Sequence, residues 1–245
     1  MKYTREFYTM WHDTDANRVV TPTRILAYMQ ETGNLQCKEY DFFLDQKRDE
    51  NGVAFILGSI SMSIKKPIHA YENITVNTWC KPARGYSFSR YFEVLRDGEV
   101  IAEASSLWAL VDIHTKALVK GDESFDKYFP IDEPILASNL PGRVRIKKDT
   151  PLYKVGERKI TFSDVDYNMH MNNTKYPDMI CDFVGDMQGK FVSGFSLSYL
   201  KEAALGETLS IYLGNTDESG FSEVITKNFA GDHCLECKIK IENLE

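Results

Sequence analysis

The sequence has no run of about 18 uninterrupted apolar residues, the length that a membrane-spanning helix requires. Its first thirteen residues, MKYTREFYTMWHD, lack the apolar core of a signal peptide and the Arg/Ser-rich composition of a transit peptide. These absences argue against a membrane span, export and organelle import. We therefore expect a protein of a bacterial cytoplasm.

The sequence has few cysteines, and they are not arranged in pairs. Their number, five, is odd and they are scattered, which is typical of reduced thiols in a cytoplasm. Cys234 and Cys237 form a C-x-x-C, but on a strand residues three apart point to opposite faces. Because no second Cys/His pair completes four ligands, we predict neither a metal site nor a cofactor.

Three widespread catalytic motifs are missing. The sequence has no G-x-S-x-G, no P-loop glycine run and no Rossmann fingerprint, so serine hydrolases and nucleotide-binding or dinucleotide-binding proteins lack support. Cys181 follows a histidine by eleven residues on a predicted helix, where a core role is favoured over that of a nucleophile. Any catalytic residues must therefore lie outside these three motifs.

Positive charge is also in deficit. A formal net charge of -7 argues against general nucleic-acid binding, which requires a surplus of Lys and Arg. The segment from Arg143 to Lys159 is the exception, because its seven bases and two acids give +5 locally and leave -12 for the rest. This basic stretch is either a solvated linker or a docking surface for an acidic partner.

The remaining composition is that of a folded protein, since 43% of the 245 residues are hydrophobic and 27% are charged. A helix is predicted from near Pro22, followed by strands between Ala54 and Val119. Three prolines then mark a linker. We predict a first module at 1–130, a linker at 131–150 and a second module at 151–245.

The second module repeats the order of the first: a strand over 159–165, a polar turn, a helix over 174–187 and further strands. Around the turn the two halves align at a shift of 151, which places Asp15 on Asp166 and Asn17 on Asn168. In the strands the shift is 135, so the first module carries about 16 extra residues after its helix. Such a repeat implies two copies of one fold about a pseudo-twofold axis.

The turn of the second module reads D-x-N-x-H, at Asp166, Asn168 and His170. A carboxylate, an amide and an imidazole ahead of a helix can bind a carbonyl group and a water, and free N–H groups at the helix start can hold an oxyanion. The same residues also suit an ordinary turn or helix cap. The copies differ here, since Val19 stands where the second copy has His170 and Pro67 where it has Glu202.

Longer stretches resemble a known family. KITFSDVDYNMHMNNTKYPDMI, MQETGNLQC and EASSLWALVDIHTKALVK are similar to segments of the acyl-acyl carrier protein (acyl-ACP) thioesterases of plant plastids and bacteria. The resemblance implies an α+β fold of two tandem hotdog modules, each a long helix packed on an antiparallel β-sheet. It also implies hydrolysis of fatty acyl-ACP to a free fatty acid, with the acyl chain held by the first module.

The resemblance implies four catalytic residues, which are Asp166, Asn168, His170 and Glu202. The next position, often cysteine in the plant enzymes, is Ala203, so we expect a carboxylate to activate water directly. Either Glu202 or Asp166 can be the general base. Ile25, Tyr28 and Met29 of the first helix either line the acyl pocket or belong to the core.

Several alternatives stay open at this level. An acyl-coenzyme A thioesterase and a non-catalytic acyl-binding protein are both compatible with a hotdog fold. The expected partners are a fatty acyl thioester and an acidic acyl carrier protein, the latter docked on the basic stretch. A homodimer is compatible with the sequence, and acyl chain length and branching are not specified by it.

Overall fold

The computed structural model describes residues 2–42, 44–121, 140 and 143–244. The first module begins with strand β1 (Tyr3–Tyr8), a 3-10 turn (Trp11–Asp13) and two helices, α1 (Pro22–Glu39) and α2 (Leu44–Asn51). Five strands follow them in the described chain: β2 (Val53–Ile64), β3 (Asn73–Cys80), β4 (Phe88–Arg96), β5 (Glu99–Asp112) and β6 (Leu118–Val119).

The second module begins with strand β7 (Leu152–Lys159), and two 3-10 turns (Phe162–Asp164 and Asn173–Lys175) lead into helix α3 (Tyr176–Cys181). Four strands complete its described part: β8 (Lys190–Tyr199), β9 (Thr208–Thr216), β10 (Phe221–Lys227) and β11 (His233–Asn243). Among the described residues, no helix is both long and apolar enough to cross a membrane.

Local sequence explains where α1 begins and which face it buries. Thr21 caps the helix by accepting the Arg24 N–H (3.3 Å), and Pro22 fits the first turn because its missing N–H is not needed there. Ile25 and Met29 recur at helical spacing and are almost fully buried against the sheet. The long first helix is therefore confirmed.

All described strands join one antiparallel sheet in the order β1-β3-β4-β5-β2-β8-β11-β10-β9-β7, with β6 paired to β5. The order is symmetric about its centre, because equivalent strands of the two modules lie at equal distances from it, with β2 and β8 at the centre and β1 and β7 at the edges. At the central β2–β8 pair, Ser61 lies opposite Ser196, with hydroxyl oxygens 2.8 Å apart. These serines are equivalent at the shift of 135, so the predicted pseudo-twofold axis passes between them.

Two details of the second module differ from the prediction. The strand expected over 159–165 lies earlier, at Leu152–Lys159. Beyond it, Thr161 and Asp164 form a capping box that turns the chain into a 3-10 helix. The long helix expected over 174–187 is only six residues, α3, and Gly185 adopts a left-handed φ of 110° beyond it. The prediction of a long helix is thus wrong for this module.

The linker predicted at 131–150 lies largely outside the described residues. From Arg143 the chain belongs to no helix or strand until β7 begins at Leu152, and Val144 is buried. The Ser198 hydroxyl donates to the Val144 carbonyl (2.9 Å), and the Ile146 N–H donates to the Glu236 carboxylate (2.9 Å). These bonds fix the start of the basic stretch to strands β8 and β11.

Candidate active site

The D-x-N-x-H segment folds into a tight turn closed by its own aspartate. The Asp166 carboxylate accepts the Asn168 N–H (2.8 Å), and the Asp166 carbonyl accepts the Met169 N–H (2.9 Å). Met169 takes a left-handed φ of 65°, and the Asp166 N–H donates to the His170 carbonyl (3.2 Å). Tyr167 and Asn168 are consequently exposed at the tip, whereas Asp166 and His170 are half-buried.

The chain brings His170 next to Glu202 across 32 positions of sequence. The Met171 N–H donates to the Ala203 carbonyl (2.8 Å) and the Leu205 N–H donates to the Met169 carbonyl (3.1 Å), so the two segments pair like strands around His170. Nε2 of His170 lies 3.3 Å from Oε2 of Glu202. The Glu202 side chain is 62% exposed, which leaves its carboxylate accessible to water and substrate.

Two N–H groups at the helix start, where an oxyanion site is expected, already donate within the chain, those of Thr174 and Lys175. The Asn172 carboxamide already accepts the Thr174 N–H (2.9 Å) and the Thr174 hydroxyl (2.8 Å). Asn172 also separates His170 from the helical turn. The Asn168 carboxamide, by contrast, makes no hydrogen bond within the described chain, and it is the amide that can reach a ligand.

The equivalent turn of the first module has the same backbone but a structural use. Asp15 accepts the Asn17 N–H (2.8 Å), as Asp166 accepts that of Asn168. The Asn17 carboxamide donates to the carbonyls of Met187 (2.6 Å) and Lys190 (2.9 Å) and accepts the Gly189 N–H (2.9 Å). This turn therefore fastens the first module to the second, and Val19, in the place of His170, is buried.

A buried carboxylate supports the turn of the second module. Burial alone would raise the pKa of Asp164. Hydrogen bonds from the Thr161 N–H (2.8 Å), the Thr161 hydroxyl (2.7 Å) and the Arg158 guanidinium (2.8 Å) outweigh burial and hold that pKa below its ordinary value. The Asp164 carbonyl in turn accepts the Asn172 N–H (2.9 Å), so an ionised Asp164 anchors the polypeptide around the candidate site.

A cavity with an open mouth lies between α1 and the sheet of the first module. Gly33 on α1 faces the Arg90 guanidinium, since a Cβ there would lie 3.4 Å from Cζ of Arg90, an ordinary van der Waals contact. Arg90 also donates to Gln36 on the helix. Aromatic side chains of the sheet and its flanks line much of the remaining wall: Phe42, Phe55, Phe88, Phe92 and Trp108.

The sequence did not predict which helix residues line this cavity. Ile25, Tyr28 and Met29 belong to the core instead, and the Tyr28 hydroxyl donates to Asp13. The available signal was Gly33, since a glycine inside a helix costs about 1 kcal/mol relative to alanine and marks a close approach.

The cysteines do not extend the candidate site. Burial raises the pKa of the Cys181 thiol to about 12 and that of Cys234 to about 11, and it raises the pKa of Cys237 well above its ordinary value. Such thiols stay protonated at neutral pH and are poor nucleophiles and poor ligands. Within the described residues, no group of three or more His, Cys, Asp and Glu is arranged to hold a metal ion.

Two helix-on-sheet modules about a pseudo-twofold axis, with a histidine and a glutamate paired at the turn of only one of them, define a double-hotdog protein. Family models agree: that of the acyl-ACP thioesterase N-terminal domain matches residues 1–128, and that of the C-terminal domain matches residues 147–242. The chain belongs to the acyl-ACP thioesterase family.

Individual relatives are distant. A chloroplast palmitoyl-acyl carrier protein thioesterase of Arabidopsis thaliana is 23% identical over 221 residues, which cover 84% of this chain and 53% of the relative. A chloroplast dodecanoyl-[acyl-carrier-protein] hydrolase of Cinnamomum camphora is 21% identical over 243 residues, which cover 89% of this chain and 61% of the relative. The chain thus spans somewhat over half the length of these curated relatives.

Solved structures share the whole fold. The acyl-ACP thioesterase of Bacteroides thetaiotaomicron superposes with a TM-score of 0.85 at 22% identity, covering 98% of this chain and 97% of that chain. The 12:0-ACP thioesterase of Umbellularia californica superposes with a TM-score of 0.83 at 16% identity, covering 99% and 97%. The predicted α+β fold of two tandem hotdog modules is confirmed.

Proposed function

We propose that the protein hydrolyses the thioester bond of fatty acyl-ACP and releases a free fatty acid and the carrier thiol. The observation that carries the proposal is the His170–Glu202 pair, in which Nε2 of His170 lies 3.3 Å from Oε2 of Glu202 beside the Asp166 turn. Only one of the two copies has these groups. A chain that merely bound acyl groups would have no need of a solvent-accessible carboxylate and imidazole together.

The proposed reaction uses water as the nucleophile. Glu202 takes a proton from water as its oxygen bonds to the thioester carbonyl carbon, and Asn168 and His170 position the water and the carbonyl oxygen. The tetrahedral intermediate then collapses, the C–S bond breaks, and the departing sulfur takes the proton from Glu202, which restores the carboxylate. Asp166 is the weaker candidate for the base, because its carboxylate already accepts the Asn168 N–H.

Position 203 supports water rather than a thiolate as the nucleophile. Ala203 is buried and packs in the core, with its carbonyl bonded to the Met171 N–H. Without a sulfur at this position, a carboxylate-activated water is the simplest nucleophile beside His170.

The cavity of the first module is the proposed site of the acyl chain. Its aromatic wall provides the apolar contact that a fatty acyl group needs. In this proposal the first module holds the acyl chain and the second module cleaves the thioester.

The proposed carrier docks on the exposed part of the basic stretch. Lys154 pairs with Glu157 and Arg158 with Asp164, so these two bases are neutralised internally. Four exposed bases within six residues at its start have no ion-pair partner in the described chain: Arg143, Arg145, Lys147 and Lys148. An acidic carrier protein would complement this row of charge.

Charge reversal tests the carrier. Changing the four exposed bases to Glu is expected to lower kcat/KM on acyl-ACP about tenfold at low salt and to weaken its salt dependence. Reversing four exposed bases of the first module (Arg5, Lys38, Lys116 and Lys120) provides a control with the same net charge. Equal activity and salt dependence of the two variants on acyl-ACP would exclude docking at this segment.

Parallel assays with one acyl group on each thiol carrier test the substrate. The proposal predicts a higher kcat/KM on acyl-ACP than on acyl-coenzyme A. A strong preference for coenzyme A would overturn the choice of carrier and favour an acyl-coenzyme A thioesterase. The homodimer and the bacterial cytoplasm stay predictions of the sequence, and light scattering on the purified protein tests the former.

A further inference from the structure

Helix α2 lies between the acyl cavity and the catalytic turn. It belongs to the segment of about 16 residues that only the first module carries. Leu44 at its start lines the cavity, and Arg48, one helical turn later on the same face, lies over the ring of Tyr167 in the second module. Cζ of Arg48 is 4.8 Å from the ring centroid, within the range of a cation–π contact.

Tyr167 stands inside the catalytic motif, between Asp166 and Asn168. Its side chain is 69% exposed, so the turn itself does little to hold the ring. In the first module the equivalent residue is Ala16, which has no ring to take part in a cation–π contact. The Arg48 contact is therefore a feature of the catalytic copy alone.

The two modules thus differ in what fastens each turn to the opposite module. In the first, the Asn17 carboxamide makes three hydrogen bonds with Met187, Gly189 and Lys190. At the shift of 135 their counterparts are Gly52, Ala54 and Phe55, which follow α2, and Asn168 bonds to none of them. The neighbouring Tyr167 makes the contact across the modules instead, which leaves the Asn168 carboxamide for a ligand.

We propose that Arg48 is a positioning residue for the hydrolysis: it holds Tyr167, and through it the turn that carries Asp166, Asn168 and His170. The inference rests on the proposed function. An eight-residue helix of the sequence LDQKRDEN has too few turns and too narrow an apolar face to be stable alone. Its place depends on contacts with the rest of the chain, of which Leu44 at the cavity and Arg48 at Tyr167 are two.

The test compares Arg48→Ala with the conservative variants Arg48→Lys and Tyr167→Phe. Gln46→Ala serves as the matched control, because Gln46 is exposed on the same helix and, among the described residues, its side chain bonds only to Glu50. On a dodecanoyl-ACP substrate, Arg48→Ala is expected to lower kcat about threefold with little change in KM, the scale of one exposed cation–π contact. Arg48→Lys and Tyr167→Phe should keep most of the activity.

A second readout does not depend on catalysis. Amide hydrogen exchange of a peptide spanning residues 162–172 should be about threefold faster in Arg48→Ala than in Gln46→Ala. If wild-type protein releases no thiol, the proposed function fails, and the exchange result still decides whether Arg48 holds the turn. Unchanged exchange together with unchanged kcat in Arg48→Ala would overturn the inference.

Discussion

The carboxamides of Asn17 and Asn168 occupy equivalent turns 151 residues apart, yet within the described chain only that of Asn17 is bonded to the opposite module. The hydrogen bond that closes the turn is the same in both copies: the Asp15 carboxylate accepts the Asn17 N–H at 2.8 Å, and the Asp166 carboxylate accepts the Asn168 N–H at 2.8 Å. One asparagine is thus structural, and its counterpart is left for a ligand.

This difference predicts opposite effects of the same substitution. Asn17→Ala should lower the free energy of unfolding by about 1–3 kcal/mol, since it removes three hydrogen bonds and leaves partly buried groups unpaired. Asn168→Ala should unfold like wild type and lose about 100-fold in kcat, the scale of one lost oxyanion donor. Denaturant titration and turnover measured on both variants check this, and equal stability losses would contradict it.

The choice of general base predicts unequal effects at the two carboxylates. Glu202→Gln should lower kcat by about 10²–10⁴-fold, because the amide cannot take a proton from water. Asp166→Asn should cost less, since its amide oxygen can still accept the Asn168 N–H and keep the turn. Separate turnover measurements test this, and near-normal rates in both variants would exclude carboxylate-activated water.

The pKa of Asp178 predicts that the free energy of unfolding depends on pH, independently of the catalytic residues. Burial raises its pKa, and the hydrogen bond from the Thr23 N–H (3.0 Å) only partly offsets this. Because the raised pKa means that the folded state disfavours the ionised form, the stability contributed by Asp178 is lost as pH rises from its unfolded pKa, about 4, through the folded value.

Asp178→Asn keeps an acceptor for Thr23 and removes the charge. Its Tm should exceed that of wild type at pH 7, and the difference should shrink below about pH 4, where the carboxyl is protonated in both states. Thermal unfolding at both pH values measures the effect. A variant that is less stable at pH 7 would show that ionised Asp178 stabilises the fold.

The proposed place of the acyl chain predicts a length-dependent block at Gly33. Gly33→Met puts a side chain into the cavity and should lower kcat/KM on dodecanoyl-ACP about tenfold or more, whereas a butyryl substrate that does not fill the cavity should be little affected. Gly33→Ala is the milder control, because its Cβ meets Arg90 only at 3.4 Å. Equal losses on both substrates would place the chain elsewhere.

Much of the fold followed from local pattern. Alternating apolar residues predicted the strands on both sides of the central pair, and the displaced repeat predicted the axis that Ser61 and Ser196 now mark. Capping chemistry was overlooked at Thr161, so the second module's first strand was placed too late. Helix α2 was missed because LDQKRDEN offers no apolar periodicity.

Only part of the candidate site could be predicted from the local sequence. Asp166, Asn168 and His170 form one short motif, whereas Glu202 lies 32 positions after His170 and entered through the family resemblance. No spacing rule predicts that two chain segments pair at His170 and Ala204. The cavity and the Arg48–Tyr167 contact depend on how separate elements pack, which local sequence does not encode.

Release of free thiol from acyl-ACP by the purified protein, compared with His170→Ala, tests the central proposal most directly. Wild-type protein should release the carrier thiol catalytically, and His170→Ala, with an unchanged unfolding transition, should be slower by about 100-fold or more. Acyl-ACP binding without release by the wild type, or an undiminished rate in His170→Ala, would contradict hydrolysis at this turn.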